Sequence, residues 1–247
     1  MDYSRIKKGL LRFICRIRNL VLTLFILSLF IVILYKFVPV YYTPLMLTRS
    51  IEQFKENKKI RIAHQWVPLS KISPHLVQAV VASEDNLFLV HNGFDLEQIE
   101  IAQKEAAKGK RLRGASTISQ QTAKNVFLFS HRSWIRKGLE AYYTVLIEFV
   151  WGKERIMEVY LNSIEMGDGI FGAQAVAKAH FETTADMLTV SEAALIAATL
   201  PNPREFNSAK PSAYMLKRQV KITSLMSKIV PIDFEEPKKK ERKKRNE

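Results

Sequence analysis

Glu84-Asp85-Asn86-Leu87-Phe88-Leu89-Val90-His91-Asn92-Gly93-Phe94-Asp95 closes an apolar helical pattern, Val77, Val80 and Val81, with two acids. Upstream, Ser73-Pro74 is a helix start, an N-cap serine with proline at the first helical position. Glu84 falls one turn beyond Val80. Partial burial at such an edge raises a carboxyl pKa toward working pH, which makes Glu84 a candidate general base. The alternative is an ordinary surface glutamate near a helix end. Downstream, Gly114-Ala115-Ser116-Thr117-Ile118-Ser119-Gln120-Gln121 opens another helix at Ser116/Thr117. Its exposed stripe is amide and amine: Thr117, Gln121 and Lys124 recur at spacings of four and three and share a face, suited to an anionic substrate.

Further out, the same signals recur. Asp95 with Gln98 is a capping pair for a helix reaching Gly109, and Lys110-Arg111-Leu112-Arg113 is a basic loop. Ser133 starts a helix at Trp134 whose core-facing spacing is Leu139, Tyr142, Tyr143, Leu146, Phe149 and Val150. Helices also fit 153–163, 170–181, 189–200 and 212–229, and Phe88, Trp134 and Phe171 are expected in the core. Residues 43–65 read as a connector with a short helix capped by Thr48. Alternating strand patterns are almost absent, so the soluble part, 66–230, is expected to be mainly α-helical and one domain.

The net charge of +14 suggests nucleic acid until it is located. Residues 1–18 and 238–247 each carry a net +5, so the excess sits in two tails, 1–18 and 231–247, expected to be solvated and disordered, and not on a basic face of a recognisable fold. Nucleic-acid binding is set aside. Leu20 to Tyr35 is an unbroken apolar run, extended past Lys36 by Phe37-Val38-Pro39-Val40-Tyr41-Tyr42. Residues 19–42 therefore read as a membrane anchor, with Lys36 and the tyrosines at the interface. The basic residues before it place the N-terminus inside and the following domain outside. No small-x-small cleavage site follows, which argues against a signal peptide. Cys15 is the only cysteine, so no disulfide can form within the chain. His91 and Asp95 read as loop-fixing partners, and no Cys/His cluster supports a metal.

Six segments in order resemble the motifs of the peptidoglycan glycosyltransferases, family 51, which polymerise lipid II into glycan strands. Two are the segments at Glu84 and Gly114. The others are Arg136-Lys137-Gly138-Leu139-Glu140, Lys153 through Asn162, Gly167-Asp168-Gly169-Ile170-Phe171-Gly172, and Leu188 through Arg204. With Trp66-Val67-Pro68-Leu69 the resemblance spans about 66–219, and details around Tyr160–Gly172 look like the monofunctional branch. It implies a lysozyme-like fold in which Glu84 is the catalytic base and Glu140 the second essential acid. Ser116, Gln120, Gln121, Lys124, Arg132, Arg136, Lys137 and Asn162 would bind substrate. For Glu140 a plain helix ion pair with Arg136 is the alternative, and for Asn162 a helix C-cap. The resemblance implies lipid II, the growing glycan chain and membrane lipids as partners, with room for other cell-wall synthesis proteins. It requires no cofactor and leaves open a divalent cation at the pyrophosphate. His180-Phe181 departs from the family's usual Tyr-Phe. The transpeptidase partner domain of some members is not expected, since Ser4-Arg5-Ile6-Lys7 is the one clear Ser-x-x-Lys match and no Lys-Thr-Gly occurs. Two rival readings stay open: a lytic enzyme or muramidase of lysozyme-like fold, and an inactive membrane-anchored scaffold.

Overall fold

A computed structural model describes residues 3–108, 116–130 and 133–234. The chain divides at Val38/Pro39 into two units. The first is one helix, α1 (Tyr3–Phe37), whose stretch Leu11–Phe37 is long and apolar enough to cross a bilayer. It ends just before Val38-Pro39, since a residue preceding proline is driven out of the helical region. The basic segment 3–18, expected as a disordered tail, continues this helix. Its residues are mostly good helix formers joined to an existing helix, so no new nucleation is needed.

The second unit is helical throughout, with one small sheet. α2 (Pro44–Lys55) is capped by Thr43, whose hydroxyl accepts from Met46 N–H; Thr48 instead donates to the Pro44 carbonyl. α3 (Pro74–Glu84) starts at Ser73-Pro74, α4 (Leu96–Ala107) at Asp95, and α6 (Trp134–Val150) at Ser133, each cap accepting from a first-turn N–H. α5 (Ile118–Phe127) opens on a reciprocal box between Thr117 and Gln120. α7 (Gly152–Ser163), α8 (Ala173–Phe181), α9 (Val190–Thr199) and α10 (Ala213–Met226) complete the helices. Three short strands, β1 (Ala63–His64), β2 (Glu165–Gly167) and β3 (Ile170–Phe171), pair in the order β1-β3-β2, β1 parallel and β2 antiparallel to β3. They correct the expectation of a helix from residue 170. At two or three residues each, they are too short to show alternation.

Residues 43–65 are not a mere connector. Arg49 reaches Glu165 at 2.8 Å, Gln53 bonds the Arg61 backbone, and β1 joins the sheet, so they belong to the folded unit. The interior is built from apolar faces of α3, α7, α8 and α9, with Leu76, Val80, Ile156, Leu161, Val176 and Ile196 fully buried; each contributes about 1.5–3 kcal/mol. Phe88 and Phe171 are in the core as expected, but Trp134 is 92% exposed. α6 shows why. Its interior face is Glu140, Thr144 and Ile147, and the apolar residues expected to face inward, Leu139 and Phe149 among them, look outward with Trp134, Ile135 and Val145. Periodicity finds an apolar stripe but not what it faces.

Candidate active site

Glu84 is the last residue of α3, and the turn after it is held by Asp85. One Asp85 oxygen meets His91 Nε2 at 2.8 Å and the other accepts from Ile118 N–H, the first residue of α5, at 2.9 Å. His91 Nδ1 accepts from Gly93 N–H, so Nε2 carries the proton. His91 thus pairs with Asp85 and not with Asp95, which caps α4. Gly93 has φ of +90°, and a Cβ there would sit 2.7 Å from Thr144 Cγ2; only glycine fits. Its carbonyl accepts from the Thr117 hydroxyl. These bonds lock the start of α5 against the end of α3.

The lock aims α5 at Glu84. Gln121 Nε2 donates to Glu84 at 3.1 Å, and Gln121 Oε1 accepts from the buried Tyr160 hydroxyl of α7 at 3.1 Å, which fixes the amide's orientation. Arg218 of α10 approaches the other Glu84 oxygen at 3.9 Å, and its buried Nε has no hydrogen-bond partner among the described residues. Burial pushes the Glu84 carboxyl pKa up; Gln121, Arg218 and Lys124 pull it down by less, and Asp85 adds to the rise.

Beyond Gln121 lies a cation cluster. Glu140 is buried and bonds Arg136 at 2.8 Å and Lys137 at 2.5 Å. Burial lowers the Lys124 ammonium's pKa, with Arg136 and Lys137 adding to this; Glu140, and more weakly Glu84, hold it up. Arg136 and Lys137 thus share one carboxylate whose field also reaches Lys124, so three cations stand against Glu140 alone in this cluster. A cleft of about 620 Å³ opens over Glu84, lined also by Asn86, Ser116, Gln121, Arg218 and Lys221.

Of the expected site residues, the fold brings together Glu84, Ser116, Gln121, Lys124, Arg136, Lys137 and Glu140. Ser116 is exposed on the cleft, and Thr117 rather than Ser116 is the cap. Arg132 and the loop cations Lys110, Arg111 and Arg113 lie outside the described residues. For two of the expected residues, Gln120 and Asn162, the structure shows structural hydrogen bonds. Gln120 is buried and its side-chain oxygen accepts from the Thr117 N–H, so the structure gives it a place in the cap. Asn162 is fully buried and bonds Val67 N–H, the Val67 carbonyl and the Glu158 carbonyl; it braces α7 to the strand-like segment before α3. Arg218 was missed. Its signal was present: it interrupts the buried stripe Met215, Ile222 and Met226 at helical spacing, where an arginine is out of place unless it has a task. Among the described residues no three His, Cys, Asp or Glu side chains gather as a metal site.

A family model described as Transglycosylase matches residues 49–227. The chain is 59% identical over 231 residues to a biosynthetic peptidoglycan transglycosylase of Bacteroides thetaiotaomicron, covering 92% of this chain and 93% of that protein. Proteins of the same name from Bdellovibrio bacteriovorus and Stutzerimonas stutzeri are 50% and 48% identical, covering 85% and 87% of this chain and 84% and 88% of theirs. The match spans the desolvated glutamate, the amide that holds it and the cations beside it, and on these grounds the chain belongs to the transglycosylase family.

Proposed function

We propose that the protein is a peptidoglycan glycosyltransferase that polymerises lipid II, releasing undecaprenyl pyrophosphate with inversion at the anomeric carbon. The observation that carries this is the inventory of carboxylates that line the cleft, Glu84, Asp85 and Asp95, together with Glu140 in the cation cluster beside it. Both Asp85 oxygens are committed to His91 and α5, Asp95 caps α4, and Glu140 is committed to Arg136 and Lys137. Among these described acids, Glu84 is the one on the cleft whose oxygens are not tied to backbone N–H groups: it accepts from the Gln121 side chain and stands 3.9 Å from Arg218, which leaves it placed to exchange a proton. A glycosidase needs an acid and a base across the scissile bond. Displacement of a pyrophosphate needs one base and a place for negative charge to grow. Glu84 would take the proton from the acceptor 4-hydroxyl as its oxygen attacks, while Lys124, Arg136 and Lys137 stabilise the departing pyrophosphate. Glu140 holds these cations together. Incubating detergent-solubilised protein with labelled lipid II tests the reading: ladders of lengthening strands are expected, and shortening of preformed strands without polymerisation would instead favour a lytic enzyme.

Arg218 gives the reading a signed pH dependence. Activity requires Glu84 ionised and Lys124 protonated, so the rate profile has an acid limb raised from that of an ordinary carboxylate and an alkaline limb lowered from that of an ordinary lysine. Arg218 is one of the influences holding the Glu84 pKa down. Arg218→Met is therefore expected to move the acid limb of kcat/KM to higher pH while leaving the alkaline limb in place. An unmoved acid limb would show that Arg218 does not act through Glu84.

The same reading places the protein at a membrane, with α1 as a single-pass anchor, the N-terminus cytoplasmic and the enzymatic domain periplasmic or extracellular. The outward apolar face of α6, with Trp134, Ile135 and Phe149 at 92%, 79% and 89% exposure, supports membrane lipids as a partner: large apolar residues this exposed and on one arc mark an interaction surface. Trp134→Ser with Phe149→Ser is expected to slow polymerisation in liposomes severalfold and to leave rates in detergent near wild type. An equal loss in both media would place the defect in the cleft instead.

A further inference from the structure

The loop after α9 borders two cavities. Pro201 lines the catalytic cleft, and Pro203 through Asn207 wall a second cavity of about 490 Å³ beside α2 and the sheet. Four cations line it, Lys58, Lys59, Arg61 and Arg204. Lys58 is paired with Glu56 at 2.6 Å, and Arg204 stands 3.7 Å from Glu52 and 3.6 Å from Glu56. Neither Lys59 nor Arg61 has a carboxylate within 4.0 Å among the described residues. Arg61 is placed by the fold: the buried Gln53 side chain bonds its backbone N–H at 2.8 Å and its carbonyl at 3.3 Å. Asp168 and Glu205 set two acids into the same wall, with Phe206 an aromatic surface beside them.

We propose that this cavity holds the peptide carried by the incoming peptidoglycan precursor, a short chain bearing carboxylates and an amine. The inference rests on the reading of the catalytic cleft given above. Lys59 and Arg61, without a carboxylate partner among the described residues, suit carboxylates, since charge-assisted hydrogen bonds to them are among the stronger ones. Asp168 and Glu205 suit the amine, which an anionic headgroup such as phosphatidylglycerol lacks, and this favours peptide over that lipid. The shared loop lets one substrate lay its sugar in the cleft and its peptide in the neighbouring cavity. Binding energy gathered away from the reacting bond then serves to orient the acceptor.

The test compares two substrates with the full-length protein in detergent: lipid II with its complete peptide, and lipid II whose peptide is cut back to a single amidated alanine. In the Lys59→Ala, Arg61→Ala double variant the KM for the complete substrate is expected to rise about tenfold. The KM for the shortened substrate and kcat for both should stay near wild type, which also reports an intact fold. Equal effects on the two substrates, or no effect on either, overturn the proposal while leaving the polymerase reading standing. A deficit that appears only when phosphatidylglycerol is added to the micelles assigns the cations to lipid headgroups and also overturns it. Failure of the wild-type protein to polymerise either substrate removes the polymerase reading, and this proposal falls with it.

Discussion

Glu84→Gln is expected to reduce polymerisation by about 10²–10⁴-fold, the range associated with loss of a positioned general base. The substitution keeps the shape and the bond from Gln121, so lipid II binding and the fold should persist. It should not lower thermal stability either. Burial raises the Glu84 pKa in the folded state above its unfolded value, so the folded state binds that proton more tightly. The resulting advantage to folding is present below the unfolded pKa and is lost as pH rises through the folded one. Once ionised, the desolvated carboxylate is a liability, which glutamine removes. A melting temperature equal to or above wild type at pH 7, together with lost strand formation, is the expected pair of results. Strand formation at the wild-type rate would remove Glu84 from the role of base.

Lys124→Ala is expected to weaken use of the donor by roughly 10- to 100-fold, because a charge-assisted hydrogen bond to phosphate is worth about 1.5–3 kcal/mol. The ammonium is partly desolvated, with Gln121 on the same helix face and Glu140 across the cluster, and it is one of the charges acting on Glu84. The loss should fall on the donor, whose pyrophosphate departs, more than on the acceptor. Titrating donor and acceptor analogues separately checks this; equal weakening of both would contradict the assignment of the cluster to the leaving group. The variant should also move the acid limb of the rate profile to higher pH, since Lys124 helps hold the Glu84 pKa down.

Much of this site was legible in local signals. Glu84 stood out by its place on an apolar helix edge, and Gln121 and Lys124 by recurrence on one face of α5. The motif resemblance added Arg136, Lys137 and Glu140. Gln120 and Asn162 show the limit of such signals, because polar residues within a motif segment look alike whether they meet substrate or hold the backbone. Only hydrogen-bond partners separate the cases: Gln120 is committed three residues away, and Asn162 to Val67, far off in the chain.

The sequence by itself determined where α3, α4, α5 and α6 begin and which carboxylate sits at an apolar edge. It also set apart the apolar segment now in α1. Caps and periodicity act over one or two turns, so the reading needs no partner from elsewhere. Only the tertiary structure decided which face of α6 looks inward, that residues 43–65 join the folded unit, and that Arg218 meets Glu84. Glu84 and Arg218 are brought together by α3 packing against α9 and α10, contacts between elements far apart in the chain. Such contacts are chosen by how whole helix faces fit one another. A residue's own neighbours in the sequence, to which caps and spacing respond, do not contain that information.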